Sequence, residues 1–336
     1  MLKYVIEVDN DYGTTADYMS GYDSDTTSLS STVKGHVYEN GRRYHGWHEG
    51  RYAMPNDEEE QDRMDLQHHI CLLALKGRLH NSPHLENPQK ILDLGTGNGI
   101  WAIDCGDVYP DAEIVGVDFS PIQPRWVPPN VTFEVDDVEQ TWTYPDNTFD
   151  MVHIRQLIGF IDDWPKIYAQ AMRVLKPGGI LEISDFFAFG SDDNTLPDDS
   201  TIMKWCRMWI DGISKAGRQL PTSDHSKQMA KVGFEGIQYE QIKIALGTWP
   251  KNKAQKDLGF YMRQHMIDGC DSISLAVFTR FLGMDKDDVK KLNNQFRKDL
   301  LNRSYHSYTN FYVTYGRKPL VPAVDATAAP PAADIS

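Results

Sequence analysis

Asp93, Gly95, Thr96, Gly97 and Gly99 fall within one stretch of seven residues, Asp93-Leu94-Gly95-Thr96-Gly97-Asn98-Gly99. It follows the apolar lead Lys90-Ile91-Leu92 and precedes Ile100-Trp101-Ala102-Ile103. The pattern predicts a strand that ends in an acidic, glycine-paved turn and passes straight into a helix. Glycines there permit backbone angles that a side chain resists, and they let a ligand approach where a Cβ would collide. The spacing is G-x-G-x-G, whereas the dinucleotide fingerprint is G-x-G-x-x-G and the phosphate loop closes on Gly-Lys-Ser/Thr. A carboxylate two places before the first glycine would repel a phosphate. It suits a cofactor that carries positive charge, as S-adenosyl-L-methionine does in its ammonium and sulfonium.

Further acids are spaced as such a cradle needs them. Ile114-Val115-Gly116-Val117 leads to Asp118, where a strand-end carboxylate can accept both hydroxyls of a ribose. Asp136-Asp137-Val138 follows a short strand through Phe133; an acid there can accept an adenine amino group while Val138 packs on the ring. The strand from Phe149 ends in His153-Ile154-Arg155, beside the turn, and one of His153 and Arg155 is expected to reach the site. The strand Ile180–Asp185 brings Asp185 to a position that can face a substrate.

These residues must be carried by alternating elements. Asn56 or Asp57 can cap a helix whose first turn holds Glu58, Glu59 and Glu60, where negative charge complements the helix N-terminus; it should run to about Leu79. Strands are expected at 90–94, 113–118, 131–135, 149–154 and 179–185, with helices at 99–109 and 164–175. That alternation implies an α/β fold, a mostly parallel sheet with helices on both faces. Lys176-Pro177-Gly178-Gly179 ends the second of these helices and reverses the chain. Beyond Pro197 the pattern is helical through Met203, Trp205, Met208, Trp209 and Ile213. A short helix from Asp224 to Gly233, a strand at 236–246, an all-helical insertion at 251–303 and a last strand at 308–315 follow. Residues 9–32, rich in Ser, Thr, Asp, Gly and Tyr, are not expected to fold alone, and the Ala/Pro-rich tail from Val321 should be disordered. Between them Tyr38–Pro55 interleaves aromatic, basic and histidine residues in a loop-like strap that either closes over the site or packs its aromatics on the core.

The chain has 336 residues, 40% of them hydrophobic, and a formal net charge of -14, enough for one decorated domain. That charge repels nucleic-acid phosphate and anionic lipid, so a small-molecule or protein acceptor is favoured over nucleic acid or membrane. No apolar run approaches the ~20 residues a span requires, and the N-terminus turns acidic before a signal core could form, so a soluble, cytoplasmic protein is expected. Cys71, Cys105, Cys206 and Cys270 form no CxxC pair and read as buried thiols; the histidines show no HExxH, and no metal is expected.

With these stations in order, Ile91–Asp185 resembles the class I S-adenosylmethionine-dependent methyltransferases. DLGTGNG, including Thr96, is similar to the cofactor turn of that family, VGVDFS, through Phe119, to its ribose-binding strand, and DDVE to its adenine station. FDMVHIR and LKPGGILEISDF are similar to its fourth and fifth strands. The flanks, YENGRRYHGWHEGRYAMPNDEEEQDRMDLQHH, GNGIWAID, VDFSPIQPRWVPPNVTFEVDDVEQTW, RQLPTSDHSKQMAKVGF and GTWPKN, resemble the LaeA-like methyltransferases of filamentous fungi. The resemblance implies a seven-stranded, Rossmann-like sheet with a helical cap or insertion. It divides the chain into an N-terminal segment (1–35), a methyltransferase domain (36–318) and a tail (319–336). Within the domain lie the strap and helix (36–80), the cofactor core (89–190), substrate-side helices and insertion (197–305) and the last strand (308–316). It implies either a tailoring enzyme of fungal secondary metabolism or a regulator of its gene clusters that works through protein partners. The first 30 residues lack the Lys/Arg cluster that nuclear import would use, which leaves the nucleus as the alternative location. A third possibility is a cofactor-binding protein that catalyses a non-methyl rearrangement.

Methyl transfer needs a nucleophile held in line behind the methyl carbon, so positioning and exclusion of water carry much of the work. If the acceptor must lose a proton, His153, His45, His225 or Asp185 could take it. Tyr44 and its aromatic neighbours could cover the methionine end of the cofactor, with Arg43 or Arg155 on its carboxylate. Trp205, Trp209 and their methionines, with Phe260, Tyr261 and Met262 of the insertion, could wall an apolar acceptor pocket or form ordinary helix core.

Overall fold

The computed structural model describes Ile6 and residues 35–46, 52–218 and 224–320. The segment expected at 1–35 and the tail therefore lie, apart from Ile6, Gly35 and residues 319–320, outside the described residues, as do 47–51 of the strap.

The strap begins as a hairpin rather than a loop. Strands β1 (His36–Glu39) and β2 (Arg42–His45) pair antiparallel around Asn40-Gly41, both at positive φ, the turn that an Asn-Gly pair favours. Helix α1 (Glu58–Ala74) follows, its N-terminus capped by Asp57, whose side chain accepts from the Glu60 amide. It stops at Ala74, short of the expected Leu79, because Lys76 and Gly77 take positive φ and turn the chain.

The sheet core comprises β3 (Lys90–Leu94), β4 (Glu113–Asp118), β5 (Val131–Val135), β6 (Phe149–Arg155), β7 (Leu175–Ser191), β8 (Glu235–Ala245) and β9 (Ser307–Arg317). Their order is β5-β4-β3-β6-β7-β9-β8, parallel from β5 to β7, with β9 antiparallel to both β7 and β8. Period-two burial divides the parallel strands between two helical layers. Ile91, Ile114, Met151 and Ile180 pack on Trp101, Ala102 and Cys105 of α2 (Ile100–Val108). Leu92, Val115, Val152 and Leu181 face Ile167, Tyr168 and Ala171 of α3 (Trp164–Val174) and Met229 of the short α5 (Ser226–Val232).

Strand β7 continues six residues beyond Asp185, because β9 is long enough to pair with it as far as Ser191, across an irregularity at Ala188. That extension carries Phe186, Phe187 and Phe189 above the sheet. There Phe186 and Phe189 join the cluster of α4 (Thr201–Lys215) and the insertion, made of α6 (Lys253–Ala276), a π-helical turn at Val277–Phe281 and α7 (Lys286–Leu300). A third core of Trp205, Phe278, Phe296, Phe311 and Ile70 joins this cap to α1 and β9. Among the described residues no helix is long and apolar enough to cross a membrane.

Candidate active site

At the C-terminal ends of the parallel strands a cavity of about 190 Å³ runs from the glycine turn to α4 and α6. One water occupies roughly 10–15 Å³ on that scale. The space therefore suits a ligand of many atoms.

The turn end is built from backbone. The Gly95 and Thr96 amides donate to Val117 O at 2.8 and 3.0 Å, which locks the turn to β4. The Gly97 amide donates to Asp118 Oδ2 and the Ser120 amide to Asp118 Oδ1, both at 2.9 Å, so the carboxylate is oriented before any ligand arrives. Burial pushes the Asp118 carboxyl up to about 6 against those two bonds. Gly99 caps α2 at φ +85°, and a Cβ there would meet the Phe133 ring at 2.4 Å, so only glycine serves. Gly95, Thr96, Gly97 and Asp118 all line the cavity.

Asp93 does not. Its Oδ2 accepts from Thr96 Oγ1 at 2.6 Å and its Oδ1 faces His153 Nδ1 at 2.7 Å, while the His153 ring stacks on Trp101 at 3.7 Å and 6°. Burial holds the His153 imidazole below its usual range, with Asp93 opposing. Asp93 and His153 are thus struts beneath the turn, outside the cavity wall.

A smaller recess adjoins the turn, lined by Gly95, Asp118, Phe119, Asp136 and Val138 under Tyr52. Of the two neighbouring acids, Asp136 is exposed and lines this recess. Asp137 is buried and turned into its own loop, accepting from the Glu139 amide at 2.9 Å and Gln140 Nε2 at 3.0 Å.

Where β6 ends, Arg155 and Gln156 enter the wall. Arg155 Nη2 donates to His68 Nδ1 at 3.0 Å, and His68 Nε2 in turn faces Asp104 Oδ2 at 3.0 Å. Gln156 sits at φ +62°, an uncommon angle for a side-chain-bearing residue, held by its amide on Ser184 O at 2.9 Å. Asp185 secures the same segment from behind, its Oδ1 accepting from the Ile158 amide at 3.0 Å. Burial pushes Asp185 up to about 7 and His225 down to about 4, with His225 Nε2 3.9 Å from Asp185 Oδ2 and Nδ1 2.6 Å from the Tyr168 hydroxyl. Neither Asp185 nor His225 lines the cavity.

The strap contributes differently from expectation. Arg43 is spent on Glu58 at 2.9 Å and on Asn56 Oδ1 at 3.1 Å. Tyr44 is buried beneath Arg280, whose guanidinium lies 4.8 Å from its ring, and desolvation pushes its phenol up to about 12. His45 packs on Phe119, ring centroids 5.7 Å apart. None of the three lines the cavity; Tyr52, Met54 and Asn56 do, with Tyr52 tilted on Phe160 at 4.7 Å.

The far end is apolar: Phe186, Phe189, Trp205, Trp209, Met262 and Met266. Met203, Met208, Phe260 and Tyr261 pack elsewhere. Cys206 is half-buried in this wall, whereas the other three thiols are buried in the core. Arg63, Gln67, Gln156 and His265 were not foreseen. Arg63 and Gln67 lie four apart on one face of α1, a spacing the sequence displays, but which neighbour that face meets depends on the insertion.

A family model described as a methyltransferase domain matches residues 66–239. The chain is 40% identical to the methyltransferase pytC of Aspergillus terreus over 300 residues, covering 88% of this chain and 92% of that protein. It is 37% identical over 289 residues to the secondary metabolism regulator LAE1 of Cochliobolus heterostrophus, covering 84% and 94%. To the secondary metabolism regulator laeA of Monascus pilosus it is 33% identical over 294 residues, covering 86% and 79%. With a sheet of this order and a glycine turn and strand-end acids at its edge, the chain belongs to the S-adenosylmethionine-dependent methyltransferases, in their LaeA-like fungal branch.

Proposed function

We propose that the turn end of the cavity holds S-adenosylmethionine and the helical end a small-molecule acceptor of fungal secondary metabolism. Bound there, the sulfonium supplies an electrophilic methyl carbon. Asp118 accepts the ribose hydroxyls, Asp136 the adenine amino group, and Val138 and Phe119 flank the ring. Gly95, Thr96 and Gly97 give the cofactor close access to the main chain, and Arg155 meets its carboxylate. Asp93 and His153 hold the turn, and Asp185 holds the segment after β6, all from outside the wall. Tyr52 and Phe160 cover the middle of the cavity and keep water from the transfer path.

One observation carries this reading: Asp118, tied between the Gly97 and Ser120 amides, borders both the main cavity and the recess of Asp136. A charged acceptor bonded to two hydroxyls is worth on the order of 1.5–3 kcal/mol per bond. Calorimetry should therefore show S-adenosylmethionine binding to the native chain and a loss of at least tenfold in Asp118→Ala; equal affinity in the two proteins would refute the assignment. The likeness to LAE1 and laeA favours a second reading, in which the acceptor belongs to a protein partner. Incubation with methyl-labelled cofactor and fungal extract separates the two by whether label enters small molecules or protein.

A further inference from the structure

The helical end of the cavity is lopsided in its hydrogen bonding. Three side chains of its wall carry a buried nitrogen with no partner at hydrogen-bonding geometry: Gln156 Nε2, Trp209 Nε1 and His265 Nδ1. All three are donors. For the indole and the carboxamide nitrogen this is intrinsic. For His265 it follows from its neighbour, because Arg63 Nη1, 3.3 Å away, can only donate to Nε2, which leaves the ring hydrogen on Nδ1. Burial beside the Arg63 guanidinium keeps that imidazole neutral. Buried donors without partners are costly, and several around one cavity mark the outline of a ligand that accepts.

Among its described residues the same wall offers nothing that removes a proton. Among the described residues lining the main cavity the one carboxylate is Asp118, at the cofactor end. His265 has its Nε2 lone pair engaged by Arg63, and burial raises the Cys206 thiol. His153, His45, His225 and Asp185 stand outside the wall. Arg63 is neutralised from behind by Glu60 at 2.6 Å, so what speaks against an ammonium acceptor is that a group which only donates would leave all three wall nitrogens without partners.

We infer that the acceptor is an apolar, ring-sized molecule bearing an already ionised oxygen, as in a carboxylate or the enolate of a β-dicarbonyl, and that it is methylated without a protein base. The inference rests on reading this cavity as a donor-and-acceptor site. The oxygen, or the carbon conjugated to it, forms its bond to the methyl carbon with its own electron pair as the carbon–sulfur pair withdraws onto sulfur. For attack by oxygen, the negative charge of the acceptor and the positive charge of the sulfonium cancel and no proton leaves. For attack by carbon, the product regains its carbonyl and likewise needs no base. Gln156, Trp209 and His265 orient the oxygen; the aromatic walls hold its body.

Three probes sharing a naphthalene body test this: naphthoate, naphthamide and naphthylmethylammonium. Their affinities for the full chain are measured by calorimetry and saturation-transfer NMR at pH 7.5, roughly three units above the pKa of a carboxylic acid and about three below that of an amine, with and without S-adenosylhomocysteine. Naphthoate is expected to bind about tenfold or more tightly than either other probe, since its bonds are charge-assisted. Trp209→Phe, which keeps the ring and removes the N–H, and Gln156→Leu should each erode that preference several-fold. Equal affinities, including no measurable binding by any of the three, or a preference untouched by both substitutions, would overturn the inference. Failure of the cofactor product to bind counts against the donor reading instead, while the ranking of probes without it still judges this one.

Discussion

The two ends of the cavity are built on opposite plans. At the turn end the polar groups already satisfy one another: Thr96 on Asp93, Gly97 and Ser120 on Asp118, Gly95 on Val117. Those bonds span few residues or neighbouring strands, so the cradle is set by the sheet itself. Toward the helical end the wall comes from β7, α4 and α6, far apart in sequence, with Gln156 joining it just after β6, and the N–H groups of Gln156, Trp209 and His265 are left waiting. On the proposed reading, the donor sits on rigid strand ends and the acceptor against an insertion.

The contrast breaks most readily at the turn. Gly99→Val places a β-branched side chain at φ +85° and drives its Cβ into the Phe133 ring. Left-handed strain and overpacking together should cost about 3–5 kcal/mol, the upper part of their combined range because the side chain is β-branched. Urea unfolding followed by circular dichroism measures the loss; a variant as stable as the native chain would show that the turn is not a rigid mould.

Asp185 gives the next largest effect, through pH. Its folded carboxyl titrates near 7, above the usual aspartate value near 3.8, because burial disfavours the charge. The folded state therefore holds the proton more tightly than the unfolded one, so the contribution of this group falls as pH rises from about 4 to 7 and is fully lost above that. Asp185→Asn, which still offers an oxygen to the Ile158 amide, removes that slope. From pH 5 to pH 8 the variant should gain about 2–3 kcal/mol relative to the native chain in paired urea melts. A constant difference would mean that the carboxylate is not desolvated behind the 156–158 segment.

How much could be read from the sequence follows the same division. The turn, Asp118 and the order of strands are visible because glycine spacing, period-two burial and strand-end acids are local signals. Asp136 and Asp137 show where local signals stop: two identical side chains are adjacent, and the bonds of Asp137 to Glu139 and Gln140 decide which one faces the recess. His153 is chemically fit to be a base, yet the stacking partner Trp101 and the partner Asp93 consume both its face and its nitrogen. The hairpin at 36–45 did carry its signal in Asn40-Gly41, masked by aromatic residues that read as a strap. His265 and Gln156 had none: one needs the α1–α6 contact, and the other a left-handed angle that a glutamine does not advertise.

A smaller effect sharpens the boundary between the two ends. Arg280, on the π-helical turn of the insertion, donates through Nε to Glu39 Oε2 at 2.8 Å and through Nη1 to Tyr52 O at 3.3 Å. The insertion thereby pins the strap whose Tyr52 borders both recesses. Arg280→Gln should cost about 1–2 kcal/mol of local stability, a half-buried pair lying between the surface and interior cases. Amide hydrogen exchange in 42–45 should quicken about tenfold, since that cost converts at ~1.4 kcal/mol per decade. Unchanged exchange there would detach the strap from the insertion.

The smallest effect tests the recess proposed for adenine. Asp136 is exposed, so water competes for its carboxylate and its bond to an adenine amino group should be worth well under 1 kcal/mol more than solvent offers. Asp136→Asn is expected to weaken S-adenosylmethionine binding about two- to threefold in calorimetry, and Asp137→Asn to act instead on thermal stability, because its carboxylate oxygens are bound within the loop. If Asp137→Asn weakened the cofactor more than Asp136→Asn at equal melting temperature, the roles of the two acids would be exchanged. The rigid-mould view of the turn end would then have to admit a loop that rotates when the cofactor binds.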